Sequence, residues 1–291
     1  MAHSGLLQIQ GPDAIKFLQG QVTCDVTHAS AHTGVYGAHC TPKGRILFSF
    51  FLYQRAADCF WLQIPALMVE QALKDLKKYS VFSKLTLSLI DLPMQLIQSS
   101  MHLDKPIIQD EHGIIRQRSN GYYEIIGQPA VLEQLNPFSL VNDDWNLIDI
   151  QEGIGHIFPE TRELFTPEEI NYTLINAVSF RKGCYTGQEI VARMHYKGKH
   201  KRHAHRVMVE SAEIPLPGTV ILSTQSDQKI GELISAAAIK NSAKVECLIS
   251  IPDDAQNHAK LLTTDSTNLP ANQQKMQVLS LPYAIPLAED E

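Results

Sequence analysis

Cysteine is scarce in this chain. Five occur in 291 residues, at 24, 40, 59, 184 and 247, an odd number with no CxxC pair among them. That excludes a disulfide framework and a zinc or iron–sulfur ligand set held by the chain alone, and it suits reduced thiols in a cytoplasmic protein. No apolar run approaches the ~20 residues of a membrane span. Residues 1–10 lack a basic stretch followed by an apolar one, so no secretory leader is read there. Positive charge is short as well. Lys and Arg total 25 against 31 Asp and Glu, a net charge of −6, which excludes a surface built to coat nucleic acid. There is no internal repeat and no low-complexity block. What remains is a globular composition, 44% hydrophobic, long enough for two or three packing units.

One stretch departs from this background. Arg181–Arg206 holds eight Lys and Arg and a single carboxylate, Glu189, while the rest of the chain carries 17 cations against 30 anions. Thr186 and Glu189 have the spacing of a capping box, so a helix is expected from about Gly187, with Ile190, Val191 and Met194 on one face and Gly198 as its stop. Cys184 then lies just ahead of a helix N-terminus, with Arg181 and Lys182 beside it, a setting that favours a reactive thiolate. A packed, inert cysteine ahead of a capped helix is the other reading. Gly183 and Gly187 allow a tight turn or close approach of a ligand. The run from Lys197 to Arg206 reads either as a solvated surface or as a phosphate-contacting segment. His203 and His205 share one face of a strand, where a metal site competes with a plain His-rich surface. No carboxylate between Glu189 and Glu210 orients them. Cys184 and His195 are too far apart in sequence to share a helical turn as nucleophile and base.

The remaining pattern is α+β. Residues 6–91 read as β-α-β-β-β-α-β. Strands fall at 7–10, Val35–Cys40, Ile46–Tyr53, Cys59–Ile64 and Leu85–Ile90. Thr41-Pro42-Lys43-Gly44 is a turn, and Ala14, Phe17 and Leu18 form the inner face of the first helix. In 92–150, Ile114–Arg118 and Tyr122–Ile126 form a hairpin through Asn120-Gly121. Pro129–Leu135 is a short helix, and Asp143 or Asp144 can cap a helix from Trp145 to Glu152 that Gly153 closes. Residues 154–180 are connective. From about 204, six short strands separated by Gly, Pro, Asn, Asp and Ser indicate a small antiparallel barrel or sandwich.

The run KGCYTGQE at Lys182–Glu189 (Lys182, Gly183, Cys184, Tyr185, Thr186, Gly187, Gln188, Glu189) resembles the signature of the YgfZ family, folate-binding proteins related in fold to the T-protein of the glycine cleavage system. Ile9–Val26, Cys40–Ile46, Leu76–Leu87 and Leu281–Tyr283 match as well, so the resemblance covers nearly the whole chain. It implies a T-protein-like arrangement of two α+β subdomains, roughly 1–91 and 92–203 with segments that can interleave, and a C-terminal antiparallel β-barrel from 204 to 291, around a central pocket. It further implies a tetrahydrofolate-binding accessory factor that supports iron–sulfur enzymes, including those that modify tRNA. Cys184 would be a redox or cluster-contacting thiol at the mouth of the pterin cleft. Trp145 would lie beside the ring and Glu152 would face its donor edge, against packing and solvation as their plainer roles. Arg181, Lys182 or Arg193 would meet the anionic tail, and Lys197–Arg206 would offer weak tRNA contact. No metal site is expected. After the matching turn the T-protein carries an acidic residue used in aminomethyl transfer. Here Ile46–Phe50 has no carboxylate and cannot supply that acid or base. A folate-dependent one-carbon transfer to another substrate is the alternative.

Overall fold

In the computed structural model, residues 3–100, 102–135, 138–141, 145–197, 202–211, 213–261 and 276–286 are described. The first sheet comprises β1 (Ser4–Gln10), β2 (Val35–Cys40), β3 (Ile46–Ala56), β4 (Cys59–Pro65) and β5 (Thr86–Ile90), in the order β2-β3-β4-β1-β5. Helices α1 (Ala14–Gln21) and α2 (Val69–Lys77) complete the β-α-β-β-β-α-β order read from the sequence. The Thr41–Gly44 turn closes with Gly44 N donating to Thr41 O at 2.9 Å.

This sheet is covered on both faces, which is why β3 is apolar at nearly every position rather than alternating. Its period of two still sorts the side chains. Phe48, Phe50 and Leu52 join Leu7, Ile9, Phe17 and Leu18 in the main core, whereas Phe51 and Tyr53 join Leu6 and Trp61 on the opposite face. Each such side chain, fully buried, contributes about 1.5–3 kcal/mol.

The opposite face meets the second sheet. This contains β6 (Met94–Ser99), β7 (Ile107–Asp110), β8 (Gly113–Gln117), β9 (Tyr122–Gly127) and β10 (Phe138–Leu140), in the order β10-β6-β9-β8-β7. Ile107, Ile114 and Ile126 pack against Phe51, Tyr53 and Trp61. The β8–β9 hairpin turns through Asn120 and Gly121, both at positive φ. Pro129–Leu135 is realised as a 3-10 turn over Ala130–Leu135. The helix α3 (Trp145–Gln151) follows, and Gly153 ends it at φ +71°. Its proposed Asp143 or Asp144 cap lies outside the described residues.

After the connective stretch, α4 (Gln188–Lys197) leads to the third sheet: β11 (Arg202–Glu210), β12 (Val220–Ser223), β13 (Lys229–Ala238), β14 (Lys244–Pro252), β15 (Ala259–Leu261) and β16 (Gln277–Leu279). All pairs are antiparallel, in the order β15-β12-β13-β14-β11-β16, and the sheet curls into a half-barrel. One apolar cluster runs from Leu7 through Tyr172 to Leu248, so the first sheet, the connective segment and the third sheet share a core.

α4 starts without the capping box expected of it. No hydrogen bond joins Thr186 to Glu189 among the described residues. The chain instead turns through Gly187 at φ +86°, with Gln188 N on Tyr185 O at 3.1 Å and Val191 N on Gly187 O at 3.1 Å. A turn supplies the first carbonyl, and the side-chain cap is not needed.

Candidate functional site

A cleft opens where the first and second sheets meet α3. His3, Ser4, Tyr36, Phe51, Gln63 and Pro65 come from the first sheet and its lead-in, Arg116 and Arg118 from β8 and its end, and Trp145, Asn146 and Asp149 from α3. His156 and Phe158 complete the lining. Trp145 presents its indole to the cleft, and the His3 imidazole stacks on it with centroids 5.2 Å apart and planes 18° from parallel.

Several of these lining residues belong to a buried ionic network that the sequence pattern hid. Arg118 Nη2 donates to Asp149 Oδ1 at 2.6 Å and to Glu152 Oε2 at 2.7 Å. Arg116 reaches Glu124 at 3.4 Å, lies 3.5 Å above the Phe51 ring and donates to the Tyr36 hydroxyl. Glu124 also accepts from Gln63, which in turn accepts from Tyr53 at 3.0 Å. His156 Nε2 lies 3.2 Å and His3 Nε2 3.5 Å from Asp149 Oδ2. Burial alone would push the Asp149 carboxyl up, but Arg118 and then His156 outweigh it and hold it well below the usual carboxylate range. Burial opposes the charge on Arg118 too, yet Tyr36, Asp149 and Glu152 keep it firmly protonated. The site therefore carries fixed charges at neutral pH. A carboxylate so strongly paired is a hydrogen-bond acceptor and a poor proton shuttle.

Glu152 lines no part of this cleft. Its Oε2 accepts from Arg118, and its Oε1 accepts from Ser119 N at 2.8 Å, so its hydrogen bonding is spent on the β8–β9 turn. Asp149, one helical turn earlier, is the carboxylate that faces the indole's side. The C-terminal Leu281–Tyr283 motif fixes this helix end. Tyr283 OH donates to Gly153 O at 2.5 Å, and Asn171 Nδ2 donates to Tyr283 OH at 3.1 Å.

The KGCYTGQE loop lies elsewhere. Lys182 turns inward, its Nζ donating to Val22 O at 2.6 Å and to Cys24 O at 2.8 Å, with Nζ 5.1 Å from the Tyr185 ring centre. Burial lowers its pKa to about 8, against the opposing charges of Cys24 and Asp25. A Cβ on Gly187 would lie 2.5 Å from Thr41 O, and one on Gly44 would lie 3.1 Å from the Ile190 side chain. The matching segments at Ile9–Val26, Cys40–Ile46 and Lys182–Glu189 are thus one interlocked unit. Tyr185 is buried in it, and Gly183 faces open space beside Cys184. Cys184 is exposed, whereas the other four cysteines are buried, and burial raises Cys24, Cys40 and Cys247 to about 12.

This arrangement corrects two expectations. Cys184 does not line the Trp145 cleft. Its loop meets Thr41, just past the end of β2, whereas the cleft residue Tyr36 lies near the other end of that strand, about 13 Å from Cys40 at ~3.3 Å per residue. Nor do Lys182, Arg181 and Arg193 line it: the Lys182 ammonium is consumed by backbone carbonyls, and the two arginines are exposed on the loop and on α4. Gln188 opens α4, and Glu189 is exposed on its first turn.

The basic run is also altered by folding. Lys199 to Lys201 lie outside the described residues, as does Gly198. Arg202 pairs with Glu232 at 3.2 Å and Arg206 with Glu246 at 2.6 Å. His203 meets Asp253 at 2.9 Å and Glu168 at 3.6 Å, and His205 meets Asp253 at 3.1 Å. The described half of the run is neutralised by carboxylates from distant segments, so Arg202–Arg206 offers no free cation to phosphate. Among the described residues no His, Cys, Asp and Glu group forms a metal site.

Comparison with solved structures places this architecture among the glycine cleavage T-protein folds. The aminomethyltransferase T of the glycine cleavage system from Bartonella henselae superposes with a TM-score of 0.66 over 96% of this chain and 84% of that one, at 16% identity, a likeness of fold alone. Sequence comparison is more specific. The tRNA-modifying protein YgfZ of Colwellia psychrerythraea is 33% identical over 223 residues, 69% of this chain and 68% of that protein. That of Photobacterium profundum is 29% identical over 300 residues, 97% and 89% of the two chains. An uncharacterized protein of Haemophilus influenzae is 30% identical over 287 residues, 96% and 95%. No family model matches. The chain belongs to the YgfZ family of tRNA-modifying proteins.

Proposed function

We propose that this protein binds a tetrahydrofolate-type ligand in the Trp145 cleft and acts as an accessory factor to iron–sulfur enzymes, including those that modify tRNA, with Cys184 as its exposed thiol. The observation that carries the reading is the Trp145 indole sharing one cleft with a fixed carboxylate and two arginines in a T-protein fold. A pterin is planar and edged with N–H donors, so it suits an aromatic face with an ionised acceptor beside it. Binding without aminomethyl transfer is favoured by the apolar Ile46–Phe50 strand, which is buried and brings no carboxylate, and by the strong pairing of Asp149. The separation of cleft and thiol favours two surfaces, one for the folate and one for a protein client. A titration with tetrahydrofolate that follows tryptophan fluorescence tests the first half, with Trp145→Phe separating Trp145 from Trp61. Saturable quenching, lost in the variant, supports the reading, and no quenching in the wild type removes it. For the second half, Cys184→Ser is expected to keep folate binding and lose support of iron–sulfur enzyme activity in cells.

A further inference from the structure

His3 occupies the position a ligand ring would need. Its imidazole covers the Trp145 indole at 5.2 Å, nearly parallel, and its Nε2 points to Asp149 Oδ2 at 3.5 Å. A flat heterocycle with an N–H edge on the carboxylate and a face on the indole is what the cleft already holds, in the form of its own side chain. With His3 seated, the free space is about 20 Å³, room for little more than one water. A fused bicyclic ring cannot enter beside it. The backbone at this point is fastened: Ala66 N donates to His3 O at 3.1 Å, and Ser4 pairs with Pro65 at the start of the β1–β4 ladder. The imidazole can swing out by side-chain rotation while the strand stays in place.

The geometry points to His3 as a built-in occupant of the cleft that the incoming heterocycle displaces, with Asp149 passing its Oδ2 from the His3 N–H to the N–H edge of the ligand. This rests on the folate reading and adds to it the acceptor and the gate. Asp149 Oδ1 stays on Arg118, and His156 stays 3.2 Å from Oδ2, so the carboxylate keeps its orientation when His3 leaves. Ligands recognised this way carry adjacent ring N–H and amino donors, as the aminopyrimidinone half of a pterin does.

The test compares tetrahydrofolate dissociation constants for wild type, His3→Ala and Asp149→Asn. Removing the stacked imidazole is expected to tighten binding about three- to tenfold, the worth of one aromatic stack. Asp149→Asn is expected to weaken it tenfold or more, since an amide replaces a charged acceptor. Equal or weaker binding by His3→Ala, with the wild type still binding, overturns the gate and leaves the folate reading standing. Undiminished affinity in folded Asp149→Asn overturns the acceptor assignment. No binding by wild type or His3→Ala overturns the folate reading itself. A second readout uses the unaltered chain. Stacked on the indole, the His3 ring protons are expected to be shifted upfield in the free protein and to lose that shift at saturation. A shift that persists at saturation overturns the displacement.

Discussion

Gly187 and Thr41 lie so close that a Cβ on the glycine would stand 2.5 Å from the threonine carbonyl oxygen, and the glycine has a φ of +86°. Two segments separated by more than a hundred residues are joined at this point, and the joint is what sets the exposed Cys184 in place. Gly187→Ala meets both a clash and an unfavourable backbone region, so a stability loss of about 1–3 kcal/mol is expected in urea unfolding. Gly183→Ala, whose Cβ would face open space, is expected to stay within about 0.5 kcal/mol of wild type. Equal losses for the two would contradict the account of the loop.

Arg118 is the keystone of the buried network, bound to Asp149 and Glu152 and 3.6 Å from Glu124. Arg118→Met leaves the buried Asp149 and the half-buried Glu152 without their arginine. The expected cost is about 3–5 kcal/mol, read from the unfolding midpoint. A loss below about 1 kcal/mol would mean the charges find water or another partner.

The cluster on β11 makes stability depend on pH. Burial disfavours charge on His203, but hydrogen bonds and the charges of Asp253 and Glu168 raise its pKa from 6.5 to about 9. Its folded form holds the proton more tightly, so its contribution is complete below 6.5 and is lost as pH rises through about 9. Asp253 is lowered from 3.8 to about 2, with burial opposing and His203 and His205 prevailing, so its contribution is complete above 3.8 and is lost as pH falls through about 2. Between pH 6.5 and 9 the wild type is expected to lose on the order of 1–2 kcal/mol more than His203→Gln, allowing for solvent screening. Parallel curves for the two would contradict it.

The cysteines should separate by reactivity. Cys184 is exposed, and the other four are buried. Brief iodoacetamide treatment of the native protein is expected to add one label, at Cys184, found by peptide mass mapping and absent in Cys184→Ser. Labelling of Cys24 or Cys40 at a similar rate would mean that the loop opens readily.

Much of the fold was legible because its signals are local. Alternation in β1 and β5, the Thr41–Gly44 turn, Asn120-Gly121 in the hairpin and the six strands after residue 204 each appear within a few residues. β6, β7 and β10 carry no such local signal. β7 and β10 have only four and three residues, and β6 buries Leu96 and Ile97 side by side, which breaks alternation. At the site, Trp145 on its own residues reads as a packing side chain, and only the family resemblance points it to a pocket. Arg116 and Glu124 face each other across the predicted hairpin, but their burial against the first sheet has no local signal. Arg118 was not legible, because its carboxylate partners Asp149 and Glu152 lie on and just after α3, distant in sequence. Lys182 misled for the same reason: a cation beside a cysteine suggests activation, while its carbonyl partners lie about 160 residues earlier. The carboxylates that orient His195, His203 and His205, Glu168 and Asp253, also lie outside the Glu189–Glu210 stretch that holds these histidines.

Calorimetric titration of tetrahydrofolate into the wild-type chain and into Trp145→Ala addresses the central claim most directly. One saturable site per chain is expected, weakened at least tenfold when the indole is removed. No heat of binding in the wild type, or equal affinity in the two, would contradict the assignment of this cleft.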